Sequence, residues 1–193
     1  PFLVHKGPEL GKLLSKTPLR HISGSLQTQS QTESKTELED HVIIIGYGPA
    51  GRHLVQVLSD TGIPFIVIEM NPDSVKEINE QAIPAIFGDA SRQYILNLAA
   101  VKKAKLCVIA TNDPDSTPRI VQQARILNPT IQIVVRTRYL SEIERFENLG
   151  ADIVVPEEME TTVRLFSHVL GAYMVPQQEI AEHVKALRAH DYG

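Results

Sequence analysis

A chain of 193 residues with 42% hydrophobic content is long enough to bury one full core, since single domains usually run to roughly 100 to 200 residues. Its formal charge of -4, with Lys and Arg scattered along the chain, leaves no basic footprint for a phosphate backbone and argues against a nucleic-acid partner. The lone cysteine, Cys107, excludes an internal disulfide and a cysteine-rich zinc site; no run approaches the roughly 18 apolar residues of a membrane span, and the start lacks the plan of a signal peptide.

The chain opens on Pro1 without a methionine, as expected of a piece of something longer. Residues 1–22 mix apolar residues with prolines and lysines, enough for a short helix over 9–15 but not for a core. Residues 23–40, SGSLQTQSQTESKTELED after Ile22, are rich in Ser, Thr, Gln and Glu. Such a stretch buries too little apolar surface to offset its ordering entropy, so it reads as a flexible linker.

From residue 41 the pattern changes to short apolar runs alternating with helical periodicity, the signature of βαβ units. Strands are expected at 42–45, 65–68, 85–87, 106–110, 131–135 and 153–155, and helices at 51–61, 72–80, 92–97, 116–127 and 141–149. The uniformly β-branched run at 42–45 suits a strand covered on both faces. Ser141 and Glu144 have the spacing of a capping box, and Gly150 suits a left-handed helix stop. The fold class is therefore α/β: a Rossmann-like, doubly wound, parallel six-stranded sheet occupying 41–156. The remainder, 157–193, is expected to hold C-terminal helices at 161–172 and 179–189, interrupted by Pro176, which need a partner surface.

Three glycines in G-x-G-x-x-G are weak evidence alone, but here Gly46-Tyr47-Gly48-Pro49-Ala50-Gly51 follows an apolar strand and opens a helix, and Glu69 stands at the end of the second strand. That context is the fingerprint of a nucleotide site: a tight turn, a backbone approach to phosphate, close helix-strand packing, and an acid for the ribose hydroxyls. The helix start adds free amides and a positive dipole end. A carboxylate at Glu69, next to Met70, also repels a 2′-phosphate and disfavours NADP. The other reading is a structural turn beside a solvent-facing acid.

Ligands of open α/β sheets bind at the carboxyl ends of the strands. Asp89, with Ala90, is placed to accept from an adenine amino group or, equally, to cap the following helix. Thr111 and Asn112 are candidates for ribose or phosphate, although Asn112-Asp113-Pro114 is also an ordinary turn. Arg136 is placed to meet a phosphate, or is simply an exposed arginine. No metal ligands are expected, because the seven histidines lack ligand spacing, and no catalytic residue is expected. Cys107 lies in an apolar strand, where a thiol is usually inert. The acidic run Glu157, Glu158 and Glu160 reads as a solvated face, with a cation or subunit contact as the lesser reading. No later segment is large enough to be a substrate domain over a redox cofactor.

With those residues in place, the ordered series HVIIIGYGPAGRHLVQVL, FIVIEMNPD, IFGDAS, LCVIATNDPD and IVVRTRYLSEIERFENLGADIVVPEE resembles the TrkA-N domain. This is the nucleotide-binding module of regulators of potassium conductance (RCK), and the resemblance covers about 41–170. The flanks PFLVHKGPELGKLLSKTPLR and VLGAYMVPQQEIAEHVKALRA look like the cytosolic part of Kef-type cation:proton antiporters.

The resemblance implies a cytoplasmic domain of an inner or plasma membrane transporter, preceded by a covalently attached transmembrane antiporter domain that moves potassium. It further implies a homodimer that binds AMP or NAD(H), with ATP or ADP as further ligands, and that biases the membrane domain. Gly46, Gly48 and Gly51 would hold phosphate, Glu69 the ribose, Asp89 and Ala90 the adenine side, with Thr111, Asn112 and Arg136 completing the pocket. Relatives often carry Arg-Phe between the second and third glycines, the arginine reaching terminal phosphates. Pro49-Ala50 here weakens the case for ATP, unless Arg52 or Arg136 substitutes. Other readings are a free-standing NAD-dependent oxidoreductase and a soluble subunit of a potassium uptake system.

Overall fold

A computed structural model describes residues 38–191. The expected helix at 9–15 and most of the expected linker lie outside the described residues.

Six strands form one parallel sheet: β1 (Val42–Ile45), β2 (Phe65–Glu69), β3 (Ala85–Phe87), β4 (Leu106–Ile109), β5 (Gln132–Thr137) and β6 (Ile153–Pro156). Their order is β3-β2-β1-β4-β5-β6, the doubly wound arrangement in which the chain reverses direction across the sheet between β1 and β4. Each register is in phase, with Val42 opposite Phe65 on one side and Leu106 on the other. Five helices connect them: α1 (Pro49–Thr61), α2 (Pro72–Glu80), α3 (Gln93–Leu98), α4 (Ser116–Leu127) and α5 (Ile143–Asn148).

Alternation along β1 explains the two cores. Ile43 and Ile45 join Leu96, Ile120, Val121, Ala124 and Phe146 from α3, α4 and α5, whereas Val42 and Ile44 join Val55 of α1 and Ile78 of α2. Successive side chains of a strand point to opposite faces, so a uniformly apolar β1 feeds both layers. Each buried isoleucine contributes about 1.5–3 kcal/mol relative to exposure.

The start of the fifth helix departs from expectation. Ser141 and Glu144 form no capping box; Leu140–Glu142 is a single 3-10 turn, and α5 begins at Ile143. The capping role falls two residues earlier: Tyr139 and Glu142 form the box, the Glu142 carboxylate accepting from the Tyr139 N–H and also from the Thr137 hydroxyl at the end of β5, so the turn starts at Leu140. Gly150 does take the positive φ (103°) expected after the helix.

Residues 38–40, counted with the linker on composition, are tied to the domain. Leu38 packs on the core, the Asp40 N–H donates to the Lys103 carbonyl at 2.9 Å, and Glu39 pairs with Lys103 at 2.5 Å. Beyond the sheet come α6 (Glu157–Ala172), which starts directly at the end of β6, and α7 (Gln177–Asp191). Glu160 of α6 takes both its contacts from Arg188 of α7, at 2.9 and 2.8 Å. Met159 and Ile180 are buried, but Leu165, Val169, Tyr173 and Met174 are 64%, 57%, 82% and 91% exposed. No described helix is long and apolar enough to cross a membrane.

Candidate functional site

A cavity of about 500 Å³ opens at the carboxyl ends of the strands, where the order reverses between β1 and β4. Backbone bonds carry the ladder past the strand ends and shape its floor: Gly46 N–H donates to the Ile68 carbonyl, Gly88 N–H to the Glu69 carbonyl, and Ala110 N–H to the Ile45 carbonyl, each at 2.9 Å. The last residues of β1 and β2, Ile45 and Ile68, line it, as do the first turns of α4 through Ser116 and Ile120.

The glycine loop is built for close approach. Gly46 has φ +98°, a region that glycine alone enters readily. Gly48 caps α1 with no side chain bonded across the helix start, and Pro49 follows at the first helical position, where a missing N–H costs nothing. Helix geometry leaves the Ala50 and Gly51 N–H groups without an intrahelical partner, as at the start of any helix, which is what an anion site requires.

Glu69 is held ready by the main chain. Its Oε2 accepts from the Tyr47 N–H at 2.5 Å, and its Oε1 from the Met70 and Asn71 N–H groups at 2.7 Å each. The carboxylate thus keeps one orientation at the cavity rim, with lone pairs left for hydroxyl donors. Across the cavity, Asp89 accepts from the Ser91 N–H at 2.9 Å and pairs with Arg92 at 3.4 Å. Hydrogen bonding from Ser91, helped by Arg92, holds its carboxyl below the usual range despite partial burial. Asp89 shapes a turn here; the helix cap position itself falls on Arg92. Asp113 accepts from the Ser116 and Asp115 N–H groups at the start of α4, and the Ser116 bond likewise holds its carboxyl low.

Ten of the thirteen expected site residues line the cavity: Gly46, Gly48, Pro49, Glu69, Met70, Asp89, Ala90, Thr111, Asn112 and Arg136. Tyr47, Ala50 and Gly51 do not. The Tyr47 side chain turns into the second core, where burial pushes its phenol pKa up, and only its backbone N–H serves the site. Gly51 is spent on packing α1 against the loop, and Ala50 lies in the first turn of α1. Arg52, a possible phosphate ligand on sequence, reaches Glu77 of α2 at 2.6 Å and stacks over the Tyr47 ring at 5.4 Å.

Arg136 is therefore the one basic side chain among the lining residues, against Glu69, Asp89 and Asp113. Its Nη1 donates to the Ala110 carbonyl at 2.9 Å, and its Nη2 meets Oε1 of Glu157 at 2.6 Å. Sequence reasoning missed Ile45, Ile68, Ser116 and Ile120. Two of them are simply the strand residues before each motif, and the other two lie four apart on one helix face, a spacing that was available to read. Among the described residues no group of three or more His, Cys, Asp or Glu side chains is placed to hold a metal ion.

Set beside known proteins, residues 42–157 match the family model described as the TrkA-N domain. The chain is 30% identical over 179 residues to K(+) efflux antiporter 1, chloroplastic, of Arabidopsis thaliana, a match covering 92% of this chain and 15% of that one. Among solved structures it is similar to the TrkA-N domain of inner membrane protein ybaL from Escherichia coli, with a TM-score of 0.65, 31% identity, and coverage of 69% of this chain and 98% of that one. It is also similar to the Shewanella denitrificans Kef CTD in AMP bound form, with a TM-score of 0.68, 26% identity, and coverage of 78% and 92%. The chain spans 15% to 23% of the length of the first curated relatives it matches.

Proposed function

We propose, from the premise that this chain belongs to the TrkA-N domain family, that it is the cytosolic nucleotide-sensing domain of a potassium, or monovalent cation, proton antiporter in an inner or plasma membrane. The observation that carries this reading is the cavity at the sheet's switch point, where the glycine loop and a main-chain-held Glu69 face one another. The domain works by binding. Occupancy shifts its balance between conformations, and the shift passes to a transmembrane antiporter domain upstream in the same protein. Such a shift requires that the ligand bind one conformation better than the other.

The ligand is AMP or NAD(H) ahead of ATP or ADP. Three carboxylates and one guanidinium line the cavity, and Arg52 is committed to Glu77, so little positive charge remains for a triphosphate. The similarity to a relative described in an AMP bound form points the same way. The domain pairs as a homodimer, for which the exposed Leu165, Val169 and Tyr173 of the α6 region supply the apolar face.

Calorimetric titration of the chain with AMP, ADP, ATP, NAD and NADH, repeated on Glu69→Ala, tests the reading. Micromolar binding of AMP or NAD(H) that Glu69→Ala abolishes is the expected result. If no nucleotide binds the folded wild type, the reading fails. Sedimentation of wild type beside Val169→Glu tests the dimer: the variant is expected to be a monomer.

A further inference from the structure

The guanidinium that closes the cavity is also the clamp on the next helix. Arg136 leaves β5 with Nη1 fixed on the Ala110 carbonyl, and its Nη2 holds Glu157, the first residue of α6, at 2.6 Å. The two side chains are 35% and 37% exposed, but Glu157 Oε1 is itself buried and makes no hydrogen bond, so the pair is held by charge alone, and Arg136, which lines the cavity, is the member that a ligand reaches. The rest of the α6 start is held by the buried Met159 and by two hydrogen bonds of 3.2 Å, from the Glu158 N–H to the Arg138 carbonyl and from the Leu140 N–H to the Glu158 carboxylate. From there α6 runs on to α7, carrying the exposed apolar face.

We propose that ligand phosphate and the Glu157 carboxylate compete for Arg136, so that a nucleotide carrying a phosphate loosens the first turn of α6 whereas the bare nucleoside does not. The inference rests on the nucleotide reading above and adds the path by which occupancy leaves the cavity. A phosphate within reach of Nη2 offers more charge than a carboxylate, and its arrival sets two anionic groups side by side, which repels Glu157 from its place. Linkage makes the effect reciprocal: whatever removes Glu157 from Arg136 must favour the phosphate. The device also explains why the one basic lining residue comes already paired, since an unpaired guanidinium facing the cavity would report nothing on binding.

The test is a titration of the 193-residue chain with AMP and with adenosine, on wild type, Glu157→Gln, Glu157→Asp and Arg136→Gln, with amide hydrogen exchange of α6 followed in parallel. Glu157→Gln is expected to bind AMP about threefold tighter, the scale of a part-exposed ion pair, with adenosine affinity unchanged. Glu157→Asp, which keeps the charge but shortens the arm, is expected to move the same way. Arg136→Gln is expected to lose about tenfold in AMP affinity, as for a charged hydrogen bond, again with adenosine unchanged. In wild type, the first turn of α6 should exchange faster with AMP than with adenosine. If AMP binds wild type but both Glu157 variants leave its affinity unchanged or lower it, the coupling is overturned while the nucleotide reading stands. If neither AMP nor adenosine binds folded wild type, both fall.

Discussion

Gly51 sits so close to Gly46 that a β-carbon built on it would stand 2.1 Å from the Gly46 carbonyl oxygen. The clash is with backbone, which cannot swing aside as a side chain can. Gly48, two residues past Gly46 in the same loop, is the opposite case: a β-carbon there meets nothing within 4 Å, and its φ of -71° suits any residue.

Gly51→Ala is therefore expected to destabilise the fold by about 3 kcal/mol, the upper part of the range for overpacking, because α1 must move off the loop. Gly48→Ala is expected to leave stability within about 0.5 kcal/mol, as substitutions that touch nothing do, while weakening nucleotide binding by narrowing the approach to the helix start. Urea unfolding beside calorimetric titration separates the two. Equal stability loss in both variants would contradict this account of the loop.

Removing the Glu69 carboxylate strands three backbone N–H donors, those of Tyr47, Met70 and Asn71. Part of that loss is recovered by water at the cavity rim, so Glu69→Ala is expected to cost about 1 to 2 kcal/mol of stability in addition to nucleotide affinity. Glu69→Gln, which turns one acceptor into a donor facing N–H groups, is expected to be no better. Chemical denaturation of both variants checks this, and wild-type stability in either would show that the three bonds contribute nothing.

Arg125 is a structural arginine. Its guanidinium donates to the carbonyls of Gly150, Pro129 and Ile131 and pairs with Asp152 at 2.7 Å, and Asp152 in turn accepts from the Ile133 N–H at 2.6 Å. An ammonium cannot reproduce that planar fork. Arg125→Lys is expected to lose about 2 kcal/mol, close to Arg125→Ala, with nucleotide affinity unchanged below the melting transition. A lysine variant as stable as wild type would overturn the assignment.

Cys107 lies fully buried in the middle of β4, and burial pushes its thiol pKa up to about 12. The thiolate is the reactive form. Ellman's reagent is therefore expected to leave the native protein unlabelled at pH 8 and to modify one thiol per chain in denaturant. Rapid labelling of the native state would mean that β4 opens far more often than a central strand should.

What the amino-acid order determined by itself is the frame: six apolar runs, a glycine loop after the first, an acid after the second, and a polar residue or turn after each of the next three. These are local properties. The spacing of β-branched residues makes a strand, and a strand followed by a helix in a parallel sheet puts the joining residues at the carboxyl end, so Gly46, Glu69, Asp89, Thr111 and Arg136 share one cavity rim. Tertiary structure alone decided which way the long side chains turn. Arg52 finds Glu77 on α2, Arg136 finds Glu157 at the head of α6, and Arg125 finds Asp152. A charged side chain several bonds long reaches many neighbours, and its choice depends on which oppositely charged groups the packed layers bring within a few ångströms, something no stretch of neighbouring residues contains.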